Sequence, residues 1–137
     1  AGVERVLTLP HRPIVDHARA AGVTAPFIGF PRRAGGLVEN YAQAVPVEGV
    51  ALDTQASADL GRRLQAGGKT IQGALDNLLL RAGGPALDAR VEQLLAQWVG
   101  GGHIFNLGHG VMPDTPIAHI ARVVERVTGK PASRAAA

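Results

Sequence analysis

Four short apolar runs of strand length alternate with longer segments of helical period, and no other feature of this chain constrains its fold as much. The runs are Pro26-Phe27-Ile28-Gly29-Phe30, Gly49-Val50-Ala51-Leu52-Asp53, Lys69-Thr70-Ile71-Gln72 and His103-Ile104-Phe105-Asn106-Leu107. Helices are expected over 13–21, 37–44, 58–64 and 86–99, the last carrying Leu87, Val91, Leu94, Leu95 and Trp98 at three-and-four spacing. Thr115-Pro116 reads as a hydroxyl cap followed by proline at the first helical position, opening a closing helix that runs to Gly129. Gly67-Gly68 and Gly100-Gly101-Gly102 read as helix stops, Gly83, Gly84 and Pro85 as a loop, and residues 131–137 as a frayed tail beyond a domain of residues 1–130.

Repeated strand-helix alternation implies an α/β architecture of parallel strands joined by right-handed crossovers. Crossovers of one hand between successive neighbouring strands put every helix on one face of the sheet. Parallel sheets normally have both faces covered, so four such strands leave one face bare unless the sheet closes. The 137 residues are about half of the ~250 that a complete (β/α)₈ barrel takes. The chain therefore reads as half of a barrel more readily than as a complete small domain, with about four parallel strands each followed by a helix.

Composition narrows the function classes. Hydrophobic residues make up 46% and charged ones 18%, enough for a core and too apolar for a disordered chain. There is no cysteine, which excludes disulfides, thiolate metal sites and cysteine nucleophiles from this stretch. The 14 cations against 11 anions are scattered as singles and pairs such as Arg32-Arg33 and Arg62-Arg63, without a basic tract or interleaved aromatics, so nucleic acid is not an expected partner. Nearly all the cations are arginine, which suits bidentate recognition of carboxylates on a small acidic ligand. No apolar run has transmembrane length and the first five residues do not open a signal peptide, so a cytoplasmic protein off the membrane is expected.

In such a fold reactive groups belong at the carboxyl ends of strands and in the loops that follow. That rule selects Phe30-Pro31-Arg32, Asp53-Thr54, Gln72-Gly73 with Asp76, and Asn106-Leu107-Gly108-His109-Gly110. His109, held between two glycines, stands where the backbone turns sharply and a ligand can come close. Arg32 at its strand end suits an anionic ligand, with Arg33 a weaker candidate; Asp53 and Asp76 suit an acid or base, or equally a helix cap. His103 and His119 read as structural, Trp98 as core. His11 and His17 lack a helical metal-ligand spacing, and no H-E-x-x-H pattern occurs, so no metal is expected.

These motifs in this order resemble the carboxyl-terminal part of the uroporphyrinogen decarboxylase family. The carrying segments are Ile28-Gly29-Phe30-Pro31-Arg32, Val50-Ala51-Leu52-Asp53, Gln72-Gly73 with Leu75-Asp76, and Ile104-Phe105-Asn106-Leu107-Gly108-His109-Gly110 followed by Pro113 and Thr115-Pro116. The resemblance implies that the chain is the carboxyl-terminal half of a TIM (β/α)₈ barrel, supplying roughly its last four strands, in a cytoplasmic homodimeric carboxy-lyase without metal or cofactor. It would remove carbon dioxide from the four acetate side chains of uroporphyrinogen, giving coproporphyrinogen in haem biosynthesis. It also implies that His109 contacts the substrate and that the family's principal catalytic residues lie in an amino-terminal part whose motifs are absent here; Arg32 is a second substrate-binding candidate from its place at a strand end. Two departures stand inside the matched region. The family pattern Gln-Gly-Asn-Leu-Asp-Pro reads Gln72-Gly73-Ala74-Leu75-Asp76-Asn77, and Arg33 occupies a position where glycine is common. The competing reading is a non-catalytic half-barrel interaction module that pairs with another chain or with itself. The related corrinoid or thiol methyltransferases are disfavoured, since their zinc typically uses a cysteine that this chain lacks.

Overall fold

A computed structural model describes Arg5 and residues 8–131. The elements are α1 (Leu9–Ala20), β1 (Ile28–Gly29), α2 (Val38–Ala44), β2 (Gly49–Ala51), α3 (Ala58–Ala66), β3 (Thr70–Leu75), α4 (Asn77–Ala82), α5 (Gly84–Gln97), β4 (His103–Leu107) and α6 (Ile117–Thr128). The strands form one parallel sheet in the order β1-β2-β3-β4. The expected α/β alternation with sequential parallel neighbours is what the chain adopts.

Register explains which face is covered. Gly29, Val50, Ile71 and His103 lie side by side across the four strands. Val50 and Ile71 are fully buried, in one cluster with Leu60 and Leu64 of α3 and Leu87, Val91 and Leu94 of α5. Side chains alternate across a strand, so the residues one step away belong to the opposite face. Among them Ile28 remains 43% and Ile104 41% exposed, with Phe30 just past β1 at 38%. One face of the sheet is thus buried under helices while the other presents large apolar side chains to solvent, as an incomplete barrel wall requires.

Local chemistry sets the connections. Trp98 ends α5, is 1% exposed, donates its indole N–H to the Ala58 carbonyl at 3.1 Å and packs edge-on against the His103 ring. Its indole lies so close to α3 that only a glycine fits at Gly61, where a Cβ would fall 2.3 Å from Nε1. His103 directs Nε2 at the Gly73 carbonyl, 3.1 Å away, and His119 directs Nδ1 at the Leu80 carbonyl, 3.0 Å away. A carbonyl only accepts, so each ring donates, and both histidines hold elements together, as expected.

Several boundaries differ from the sequence reading. α1 begins at Leu9 and continues through Pro13, giving up one backbone hydrogen bond where the reading opened the helix at the proline. β1 is only two residues long, hemmed between Pro26 and Pro31 at the sheet edge. β3 runs through Gly73 to Leu75, so Gln72 and Gly73 lie inside a strand and not beyond its end. The helix α4 was not anticipated; Asp76 caps it by accepting from Leu78 N–H at 2.8 Å, and Gly83 ends it. Thr115 does not cap α6: Pro116 takes the cap position, and the Thr115 hydroxyl is buried without a partner among the described residues. The expected tail at 131–137 falls outside the described residues apart from Pro131.

α5 and α6 are laced by charge. Asp88 receives Arg122 Nε at 2.6 Å and Arg126 Nε at 2.8 Å, and Arg126 also reaches Glu92 at 2.5 Å. The Arg122 hydrogen bond, aided by the charges of both guanidiniums against some desolvation, holds the Asp88 carboxyl down at about 2, from an ordinary 3.8. A carboxylate whose pKa is lowered by folding adds stability at neutral pH, because the unfolded chain takes up the proton first as pH falls. Asp88→Asn is expected to lower the unfolding temperature at pH 7. The gap to the parent should narrow as pH falls from about 4 to about 2, as scanning calorimetry at several pH values would record.

Candidate active-site cleft

The carboxyl ends of the four strands share one rim, and a cleft of about 840 Å³ opens there. Its lining brings together residues from all four strand ends, among them Arg32 and Arg33 after β1, Asp53 after β2, Asp76 and Asn77 after β3, and His109 after β4. The strand-end rule thus selected residues that the fold brings to one cleft. It misplaced only the third contribution, because Gln72 and Gly73 are held within β3 and Asp76-Asn77 stand at its end.

The two carboxylates act first as loop organisers. Asp53 accepts the Gln55 N–H on Oδ1 at 3.0 Å and the Arg33 N–H on Oδ2 at 3.2 Å, tying the β1 loop to the β2 loop. Asp76 is the α4 cap. Neither arrangement favours an acid or base role, since each carboxylate is engaged by backbone donors.

The cations divide differently. Arg63, from α3, is clamped by Glu39 through two bonds of 2.8 and 2.9 Å, which lowers the Glu39 pKa and neutralises that guanidinium. Arg32 and Arg33 are exposed at the cleft and make no ion pair among the described residues. Arg33 has φ +57°, the left-handed region that favours glycine, so the residue commonly found there in the resembled motif is the one its backbone prefers. Two uncommitted guanidiniums beside a cleft can take carboxylates bidentately.

His109 stands at the same rim, half-buried, with the Phe30 ring edge-on at 6.5 Å between centroids. Its loop is held from both sides. The Gly108 N–H donates to the Leu75 carbonyl at 2.8 Å, and Gly108 lies against the β2 loop, where a Cβ would fall 2.4 Å from the Thr54 nitrogen. On the other side Asn77 Nδ2 donates to the Gly110 carbonyl at 2.7 Å. Sequence reasoning did not assign Asn77 a part; its position one residue past a strand-end Asp was the available signal. Among the described residues no group of three or more His, Cys, Asp or Glu side chains could hold a metal ion, and no helix is long and apolar enough to cross a membrane.

Sequential parallel strands with helices between them, and a cleft across their carboxyl ends, are the marks of a (β/α)-barrel wall. The family described as Uroporphyrinogen decarboxylase (URO-D) matches residues 4–129, and the chain belongs to that family. It is 73% identical over 128 residues to the uroporphyrinogen decarboxylase of Phenylobacterium zucineum, covering 93% of this chain and 37% of that protein. It is 63% identical over 127 residues to that of Caulobacter vibrioides, covering 93% and 36%, and 48% identical over 124 residues to that of Maricaulis maris, covering 90% and 36%. The chain thus spans little more than a third of the length of these relatives.

The two glycines flanking His109 differ in what they require. Gly108→Ala should cost about 1–3 kcal/mol, because the added methyl meets backbone rather than a movable side chain. Nothing lies within 4 Å of a Cβ at Gly110, so Gly110→Ala should stay within about 0.5 kcal/mol of the parent. Denaturant midpoints of the two variants would show the contrast.

Proposed function

We propose that this chain forms the carboxyl-terminal half, residues 1–130, of a uroporphyrinogen decarboxylase barrel. The reading is of a cytoplasmic homodimer that uses no metal or cofactor and converts uroporphyrinogen to coproporphyrinogen by removing carbon dioxide from four acetate side chains. The observation that carries it is His109, which lines the same cleft as the uncommitted Arg32, at the rim where the four strand ends meet. The names of the relatives and their identity over nearly all of this chain support the substrate.

Decarboxylating an acetate on a pyrrole needs a sink for the electron pair left behind. Protonating the ring supplies one as a cation, which a preorganised carboxylate stabilises. In this chain Asp53 and Asp76 are engaged by backbone N–H groups, so that carboxylate belongs to the amino-terminal part of the barrel. The present residues hold the substrate instead. His109 hydrogen-bonds a substrate carboxylate, and Arg32 pairs with another in bidentate fashion. The bare sheet face with Ile28 and Ile104 accounts for the need of the missing strands. It equally suits the non-catalytic module of the competing reading, so activity decides between them.

The test is uroporphyrinogen turnover by this chain, alone and combined with the amino-terminal half of the Phenylobacterium zucineum relative. Activity is expected in the combination only. His109→Ala should lower kcat/KM at least tenfold, the scale of losing a hydrogen bond to a charged group, and Arg32→Ala, an exposed cation, about threefold to tenfold. A combination that assembles into a folded barrel yet never turns substrate over would favour the interaction module, and unchanged kinetics in His109→Ala would remove that residue from the site.

A further inference from the structure

The two anchors of the His109 loop are of different kinds. The one on the Gly108 side is backbone, a continuation of the β3–β4 ladder to the Leu75 carbonyl. The one on the Gly110 side is a single side-chain bond, from Asn77 Nδ2 at 2.7 Å. The Gly110 carbonyl makes no other hydrogen bond among the described residues, and Gly110 itself is exposed, with nothing within 4 Å of where a Cβ would stand. Glycine on both sides gives His109 the most mobile backbone neighbours a residue can have. Without Asn77 the loop would be tied at one end only.

Nothing about the helix requires an asparagine there. Asn77 is the first residue of α4, where a backbone N–H has no helical partner and proline is the favoured residue. The preceding Asp76 has φ −69° and ψ 125°, the extended conformation that a following proline demands. The position thus accepts proline without strain, and the asparagine side chain does something that proline cannot. From this, and resting on the substrate-binding reading of His109 above, we infer that Asn77 is a positioning residue that latches the Gly110 carbonyl and thereby holds His109 facing the cleft.

Preorganising a binding group raises affinity by removing the cost of ordering it, so the latch is expected to act on substrate binding more than on the chemical step. Two variants separate the latch from stability. Asn77→Pro keeps the helix start and removes the donor. Asn77→Asp keeps the shape and the cap neighbourhood but offers only acceptors to a carbonyl. Each would be made in this chain combined with the amino-terminal half used above, and followed by amide hydrogen exchange in the ligand-free protein at Gly108, the loop amide that donates to the Leu75 carbonyl, by uroporphyrinogen kinetics, and by thermal unfolding.

Exchange at the Gly108 amide should rise about threefold to tenfold in both variants, the range of one lost hydrogen bond. KM should rise by a similar factor with kcat within about twofold, and Asn77→Pro should unfold no earlier than the parent. Unchanged exchange in both variants overturns the inference. So does faster exchange with unchanged KM where His109→Ala still impairs binding, because loop order would then not govern the histidine. Faster exchange with unchanged KM in all three variants supports the latch but overturns the substrate-binding reading of His109, so the two failures are told apart.

Discussion

Sequential parallel pairing of the four strands is the constraint on which the rest depends. Because β1, β2, β3 and β4 are each neighbours of the next and all run the same way, their carboxyl ends reach one rim, and loops far apart in sequence become neighbours there. Arg32 and His109 are 77 positions apart yet line one cleft. The same pairing, with every covering helix packed on one side, leaves Ile28 and Ile104 in solvent on the other. The bare wall and the populated rim are two results of one topology.

The rim is kept in shape by many small polar ties rather than by a buried charge network. Asp53 joins two loops through backbone N–H groups, Asp76 caps α4, and Asn77 reaches across to Gly110. Each such bond is worth about 1 kcal/mol net, little beside the apolar cluster behind the sheet, yet each fixes the direction of a loop that carries a cleft residue. The cluster supplies stability and the ties supply geometry. Arg63 illustrates the sorting of charge that results: Glu39 claims it, so the cationic character of the rim rests on Arg32 and Arg33.

Much of this was legible beforehand because it follows from local patterns. Alternating apolar runs and helical stripes identify the strands and α5, and the strand-end rule selects His109 and Arg32 without knowledge of a single contact. Errors fell where two local signals compete. Gly73 looks like a strand end, since glycine usually interrupts strands, but β3 passes through it because the Leu52 backbone packs where any Cβ would stand. Thr115 looks like a cap, but the chain turns one residue later and buries it. α4 is six residues long, too short for periodicity to rise above the loop around it.

By itself the sequence determined the class of the fold, the family, and which residue types would stand at the ends of strands, because these depend on spacing and side-chain chemistry along the chain. Only the tertiary structure decided which of those groups remain available. That Asp53 and Arg63 are engaged while Arg32 and Arg33 are not, and that Asn77 holds the loop of His109, depends on distances between segments 20 to 33 residues apart. Such pairings arise from packing in three dimensions, and no period in a one-dimensional pattern encodes them.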